Sequence, residues 1–229
     1  MPDLLPAAEA LAEKRCLVTL RNQPDVLLLQ PIDARDTLTQ EMQLLAAQTT
    51  RSFLHVAFPV EAWNVDLSPW DASPVFGRES FGHGAADTLD WLRMRLMPEV
   101  RAKYAISPDV PVILGGYSLA GLFSLWSAAQ VDDFAAVAAM SPSVWFPGWA
   151  DYADAHPVLA RAAYLSLGDR EERSHNPVLA TVGEAIRQQD ARHERQGIRH
   201  ILRWHPGNHF QGVEERCAAG FAWCIMSIG

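Results

Sequence analysis

The chain of 229 residues lacks the features of several large classes of protein. Its three cysteines, Cys16, Cys217 and Cys224, are odd in number and fit no disulfide framework, so we expect a reducing compartment. No apolar run is long enough to cross a bilayer. The N-terminus has no basic start followed by an apolar block, so we expect no secretory signal. These absences predict a cytoplasmic protein without membrane contact.

Positive charge is scarce. The 19 lysines and arginines are outnumbered by 27 aspartates and glutamates, which gives a net charge of -8, and no basic patch stands out. This balance argues against nucleic acid as a partner. By contrast, 49% of the residues are hydrophobic, enough for a substantial core. The length fits one domain, so we predict that residues 1–229 form a single unit.

The hydrophobic pattern alternates between strands and helices. It predicts strands at 16–20, 25–30, 53–60, 110–116, 135–140, 162–167 and 198–205, with the second ended by Pro31. It predicts helices at 1–14, 37–50, 84–104, 119–130, 177–196 and 213–225. Continuous apolar strands indicate an α/β fold, a mostly parallel central sheet with helices on both faces. No insertion is long enough for a separate lid domain. Sites in such sheets lie beyond the carboxyl ends of the strands.

The stretch GGYSLAGL, residues 115–122, follows one strand and opens a helix. Small residues surround Ser118: Gly116 before it, and Ala120 and Gly121 after it. A tight turn that projects a nucleophile brings its backbone close to its neighbours, which requires small side chains. The commonest pattern has glycine where Ala120 stands. The stretch is therefore either a nucleophile elbow or a glycine-rich turn with a capping serine.

Three acidic residues follow the strand at 162–167 and could orient a histidine. Many hydrolases of this fold have a strand, a glycine, two residues and then the acid, which here selects Glu171 after Gly168. Asp169 is the alternative acid and Glu172 the third candidate. Each could equally be a solvated surface acid.

A turn, Pro-Gly-Asn, follows the last predicted strand and leads to His209. His205, at the end of that strand, is the rival. We prefer His209 because a base that reaches a serine on another strand should lie on a loop. The spacing of His200, His205 and His209 could suggest zinc, but no cysteine lies nearby, so we expect no metal.

The serine, the acid and the histidine thus follow three successive strands in that order. This is the order of the α/β-hydrolases. Each motif is weak alone, but the three together favour an enzyme with a nucleophilic serine.

Four motifs carry a family resemblance: GGYSLAGLF at 115–123, MSPSVWF at 140–146, LGDREE at 167–172 and GNHF at 207–210. WNVDLSPW, at 63–70, is similar to a loop of uncharacterised members. Over about residues 26–210 the chain resembles the "putative esterase" family of α/β-hydrolases, which includes esterase D-like and enterochelin esterase-like proteins. The resemblance implies a compact α/β-hydrolase fold and a serine hydrolase acting on esters or thioesters. One departure is that residues 30–33, QPID, replace the family's His-Gly-Gly type of oxyanion loop.

The expected chemistry needs neither a metal nor an organic cofactor. His209 takes the proton of Ser118, and Glu171 fixes the imidazole tautomer. The backbone N–H of Leu119 is one expected oxyanion donor. Because Pro31 has no N–H, Ile32 is the first candidate for the second donor.

Trp63, Trp70 and Trp145 follow strand ends and are candidates for the wall of a substrate pocket. Together they suggest an apolar or ring-bearing group on a small-molecule ester substrate. Alternatively, each tryptophan caps the core.

Two other classes of function remain open. One is an acyltransferase on the same machinery, and the other is a non-catalytic binding protein that keeps the fold. A homodimer through the helix ending at Tyr104 and the last helix is also possible.

Overall fold

The centre of the molecule is one twisted sheet of eight strands, seen in a computed structural model that describes residues 4–228. The strand order is β1-β2-β4-β3-β5-β6-β7-β8. The strands are β1 (Ala7–Leu11), β2 (Lys14–Arg21), β3 (Leu27–Ile32), β4 (Phe53–Pro59), β5 (Val112–Tyr117), β6 (Ala136–Met140), β7 (Ala162–Gly168) and β8 (Arg199–His205). β2 pairs antiparallel with β1 and β4, and the other pairs are parallel. The predicted α/β fold with a mostly parallel sheet is confirmed.

Helices cover both faces of the sheet. They are α1 (Thr39–Gln48), α2 (Trp63–Asp66), α3 (Ala85–Trp91), α4 (Met97–Lys103), α5 (Leu119–Gln130), α6 (Trp149–Ala155), α7 (Val182–Gln196) and α8 (Val213–Ser227). A π-helical turn, Leu92–Leu96, joins α3 to α4. α1 and α8 pack on one face, and α3 to α7 pack on the other. No helix among residues 4–228 is both long and apolar enough to span a bilayer.

The inner strands are apolar without interruption because both of their faces are buried. In β3, Leu27 and Leu29 pack into the core on one side of the sheet, and Leu28 packs into the core on the other. Parallel pairing then aligns the carboxyl ends of β5 to β8 along one edge. Tyr117 is in register with Met140, and Gly168 is in register with His205.

The prediction of a helix over residues 1–14 was wrong. In the described part of this segment, β1 and β2 form a hairpin with Leu11 opposite Lys14, and Met1–Asp3 lie outside the described residues. Ala12 and Glu13 form its two-residue turn with φ of +46° and +69°, the backbone signs of a type I′ turn. Alanine and glutamate are good helix formers, but intrinsic propensity is worth less than about 1 kcal/mol per residue, which pairing with the sheet can override.

The prediction that Pro31 ends its strand was also wrong, since β3 continues to Ile32. The pairs between β3 and β5 end at Leu29, whereas Pro31 still pairs with Phe58 of β4. Proline lacks an N–H, and it is tolerated here because one side of the ladder has already ended. The short helices α2 and α6 were not predicted.

Candidate active site

Ser118 lies in the turn between β5 and α5 with φ +59° and ψ −121°. A non-glycine residue in such a conformation stores strain on the order of 1–3 kcal/mol. Backbone hydrogen bonds hold it there: its N–H donates to the carbonyl of Met140 at 2.9 Å, and its own carbonyl accepts from Ser143 N–H at 3.0 Å. The turn presents the half-buried Ser118 side chain at the carboxyl edge of the sheet.

The small residues around Ser118 have separate roles. A Cβ atom on Gly116 would lie 2.6 Å from the Cβ of Ala120, too close for any real contact. A Cβ atom on Gly121 would lie 2.9 Å from the carbonyl oxygen of Gly116. Gly116 thus lets the turn tighten, and Gly121 lets α5 approach the sheet. Ala120 is fully buried, so its methyl group fits where glycine is commoner.

A continuous chain of hydrogen bonds joins three predicted residues. His209 Nε2 lies 3.0 Å from Ser118 Oγ, and His209 Nδ1 lies 2.7 Å from Glu171 Oε2. His209 comes from the loop between β8 and α8, and Glu171 from the 3₁₀ turn Glu171–Arg173 after β7. The side chain of His209 is 31% exposed, and that of Glu171 is 4% exposed. This is the geometry of a nucleophile, a base and an orienting acid.

The other oxygen of Glu171 is fully engaged. Its Oε1 accepts hydrogen bonds from Gly168 N–H at 2.7 Å, Ser141 Oγ at 2.8 Å and Arg216 Nη1 at 2.7 Å. Burial by itself would raise the pKa of Glu171. The bond and charge of His209 and the bonds from Gly168 and Ser141 outweigh burial, and they hold the pKa below its ordinary value. Glu171 is therefore ionised near neutral pH.

The two competing acids have other partners. Asp169 Oδ1 accepts from Gly207 N–H at 2.9 Å, which ties the end of β7 to the loop that carries His209. Glu172 Oε2 accepts from Arg187 of α7 at 3.1 Å. Among the described residues, neither acid is hydrogen-bonded to His209.

The three histidines whose spacing could suggest zinc have side chains that contact three different residues. His200 Nε2 lies 3.5 Å from Asp190, His205 Nε2 lies 3.1 Å from the hydroxyl of Tyr164, and His209 contacts Ser118. Within residues 4–228, no three His, Cys, Asp or Glu side chains are arranged to hold a metal ion.

The two predicted oxyanion donors lie on different elements. Leu119 is the first residue of α5, and N–H groups in the first turn of a helix have no intrahelical acceptor. Ile32 pairs with Pro59 of β4, and its carbonyl accepts from Val60 N–H at 3.0 Å, whereas the pairs between β3 and β5 end at Leu29. Their role as donors stays a prediction.

The three tryptophans predicted as pocket walls lie in three different environments. Trp145 lies two residues along the chain from Ser143, whose Oγ is 3.5 Å from Ser118 Oγ. The indole N–H of Trp70 donates to the Pro147 carbonyl at 2.8 Å, which fixes it against the same segment. Trp63, in α2, is half-buried against the core. All three stay predictions as substrate contacts.

Three polar residues behind the triad have no role in the sequence-based prediction, although Tyr117 and Ser141 lie within the family motifs. Ser141 donates a hydrogen bond to Glu171, and Tyr117 donates one to the backbone of the His209 loop. Arg216 donates to both. Arg216 follows two glutamates at the start of α8, which is typical of an exposed helix end. Its position on the buried side of α8, four residues before Gly220, is evident only in the folded chain.

Solved structures of several esterases share this fold. Siderophore hydrolase EstB from Aspergillus nidulans is 19% identical, with a TM-score of 0.69 over 98% of this chain and 94% of its own. Siderophore hydrolase EstA from the same organism is 16% identical, with a TM-score of 0.69 over 93% and 90%. Enterochelin esterase from Shigella flexneri is 16% identical, with a TM-score of 0.69 over 98% of this chain and 59% of its own. At these identities the likeness shows the α/β-hydrolase fold alone.

The sequence itself identifies the family. A comparison with curated proteins found no match. The family model described as "Putative esterase" matches residues 19–209, a span that contains Ser118, Glu171 and His209. This span is well over half of the chain, and the chain therefore belongs to the "Putative esterase" family of α/β-hydrolases.

Proposed function

We propose that this protein is a serine hydrolase that cleaves carboxylic esters or thioesters through an acyl-enzyme on Ser118. Membership of an esterase family supports ester hydrolysis. The observation that carries the serine mechanism is the hydrogen-bond chain from Ser118 through His209 to Glu171, at 3.0 and 2.7 Å.

Acylation begins with a proton transfer. His209 Nε2 accepts the proton of Ser118 while Oγ attacks the carbonyl carbon of the ester. The carbonyl oxygen becomes an oxyanion, and the N–H groups of Leu119 and Ile32 are its proposed donors. The intermediate then collapses, the bond to the leaving group breaks, and His209 returns the proton to the departing alcohol or thiol.

Deacylation repeats these steps with water. His209 takes a proton from the water, whose oxygen attacks the acyl carbon, and the same proton returns to Ser118 as the acid leaves. The His209 side chain is 31% exposed, so solvent water has access to the base. This exposure favours hydrolysis over transfer of the acyl group to another acceptor.

Glu171 selects the productive form of His209. Three donors occupy its Oε1, which leaves Oε2 to accept the Nδ1 proton of the imidazole. With the proton held on Nδ1, Nε2 is free to accept the proton of Ser118. The ionised carboxylate also stabilises the imidazolium that forms.

Two serine variants provide the test. Ser118→Ala should lower kcat/KM for p-nitrophenyl acetate by a factor of at least about 10³, because it removes the nucleophile. Ser143→Ala is the matched control, since it removes a hydroxyl whose Oγ lies 3.5 Å from Ser118 Oγ. It should keep activity within about tenfold. A Ser118→Ala enzyme as active as the parent would contradict the proposal.

A further inference from the structure

A buried arginine connects the segments that carry the triad. Arg216, on α8, is 1% exposed. Its guanidinium donates to five acceptors: Glu171 Oε1 at 2.7 Å, Tyr117 OH at 2.8 Å, Ser141 Oγ at 2.9 Å, the Asn208 carbonyl at 2.9 Å and the Pro206 carbonyl at 3.5 Å. A buried charge is costly unless it is paired and hydrogen-bonded, so this site is built around Arg216.

Two of these five contacts lie next to a triad member in the chain. Tyr117 precedes Ser118, and Asn208 precedes His209. The hydroxyl of Tyr117 in turn donates to the carbonyl of His209 at 2.8 Å. One guanidinium thus contacts the acid directly, the side chain of the residue before Ser118 and the backbone of the residue before His209.

The charge of Arg216 also acts on the acid. The Glu171 side chain is 4% exposed, and burial disfavours a lone carboxylate. A positive charge 2.7 Å from its oxygen favours the ionised form. Glu171 in turn needs that form to hold the Nδ1 proton of His209.

From these contacts we propose that Arg216 is a positioning residue of the triad: it aligns Glu171 with the loop of His209, and its charge adds to the bonds that keep Glu171 ionised. This inference rests on the proposed function. Arg216 touches no reacting atom and acts through Glu171 and the loop backbone.

Other titratable groups lie near Glu171 and Arg216. They are His209 on its loop, Tyr117 at the end of β5, His205 at the end of β8 and Cys217 on α8. Burial raises the pKa of both Tyr117 and Cys217, so they stay neutral below pH 8. Burial and the charge of Arg216 lower the pKa of His205. The experiment is therefore repeated in a His205→Gln background.

The experiment compares Arg216→Met with Arg216→Lys in p-nitrophenyl acetate hydrolysis across pH. The Met variant should lower kcat at least about tenfold with little change in KM. It should also move the pH of half-maximal activity on the acid side up by about one unit, because the Glu171–His209 pair then binds a proton more tightly. The Lys variant keeps the positive charge but loses the planar guanidinium and its several hydrogen bonds. Its kcat should therefore fall while the pH of half-maximal activity stays unchanged.

Arg192→Met is the matched control. Arg192 is also a buried arginine, 6% exposed and paired with Asp154, but it lies on α7. Its loss should leave kcat and the pH profile of the folded enzyme unchanged. A folded Arg216→Met enzyme with the parent's kcat and pH profile would overturn the inference, since a structural role alone moves neither.

A double variant keeps the test valid where Arg216→Met does not fold. Glu171→Gln with Arg216→Met removes both buried charges, which proteins tolerate better than the loss of one. Because part of the action of Arg216 runs through Glu171, Arg216→Met should lower kcat by a smaller factor in Glu171→Gln than in the parent. An equal or larger factor in Glu171→Gln would overturn the inference.

Ser118→Ala, measured in the same assay, separates the two claims. If it remains active, the proposed function fails. If it is inactive and the Arg216 variants behave like the parent, only the role of Arg216 fails.

Discussion

The change Glu171→Gln tests the acid most sharply, because the structure dictates how the amide must sit. Three donors surround Oε1: Gly168 N–H, the Ser141 hydroxyl and Arg216. An NH₂ group there would face donors only, so the amide oxygen takes this position. The NH₂ group then points at His209 Nδ1, 2.7 Å away in the parent.

This orientation forces the wrong tautomer of the imidazole. Nδ1 must accept the amide hydrogen, so the ring proton moves to Nε2, 3.0 Å from Ser118 Oγ. Nε2 then cannot accept the proton of Ser118. The equivalent carboxylate-to-amide change in a serine protease lowers kcat about 10⁴-fold, and we expect a loss of about 10³ to 10⁴ here.

The assay must separate this loss from instability. Glu171→Gln leaves Arg216 buried without its charge partner, a loss that costs about 3–5 kcal/mol. Initial rates of p-nitrophenyl acetate hydrolysis are therefore divided by the folded fraction, measured by near-UV circular dichroism and urea denaturation.

Asp169→Asn is the matched control. The Asp169 side chain is 54% exposed, and an asparagine oxygen can still accept from Gly207 N–H. We expect kcat to stay within about threefold of the parent, as for most surface changes. A larger loss from Asp169→Asn than from Glu171→Gln would refute the assignment of the acid.

Two further predictions concern the core and the turn. Burial raises the pKa of Glu41 from 4.5 to about 8. As the pH rises between these values, the unfolded chain releases this proton but the folded protein keeps it. The free energy of unfolding therefore falls by about 1.4 kcal/mol per pH unit in this range. Glu41→Gln should thus stabilise the protein more at pH 8 than at pH 5 in urea denaturation, and an equal effect at both would contradict this. Gly116→Ala places a Cβ atom 2.6 Å from Ala120 Cβ and should abolish activity or folding. A fully active Gly116→Ala enzyme would show that the turn has room for a Cβ atom. Ala120→Gly should keep activity and lower the free energy of unfolding, measured by urea denaturation, by about 1 kcal/mol.

The sequence predicted those parts of the fold that depend on local pattern. The parallel strands were found because burial on both faces makes them apolar throughout, and α5 was found at its observed bounds, Leu119–Gln130. The strand at 16–20 was predicted and is part of β2, but β1 was missed because it joins the sheet through β2, which in turn pairs with β4 more than thirty residues away along the chain. Local preference for helix could not report that pairing.

The candidate site likewise combines residues that a local sequence pattern indicates with residues whose position depends on long-range packing. Ser118 and His209 could be proposed from the sequence because each follows a strand end with a recognisable turn. The choice of Glu171 over Asp169 rested on spacing, and the structure adds the 2.7 Å contact with His209. Arg216 was missed because its burial arises only when α8 packs behind the carboxyl ends of the strands.

The most direct test of a nucleophilic Ser118 is covalent labelling with a fluorophosphonate, followed by mass spectrometry of the intact protein and its peptides. The account predicts one adduct per chain, located on Ser118, absent in Ser118→Ala and formed far more slowly in His209→Ala. A parent enzyme that hydrolyses esters but carries no adduct, or carries it on another residue such as Ser143, would contradict the account.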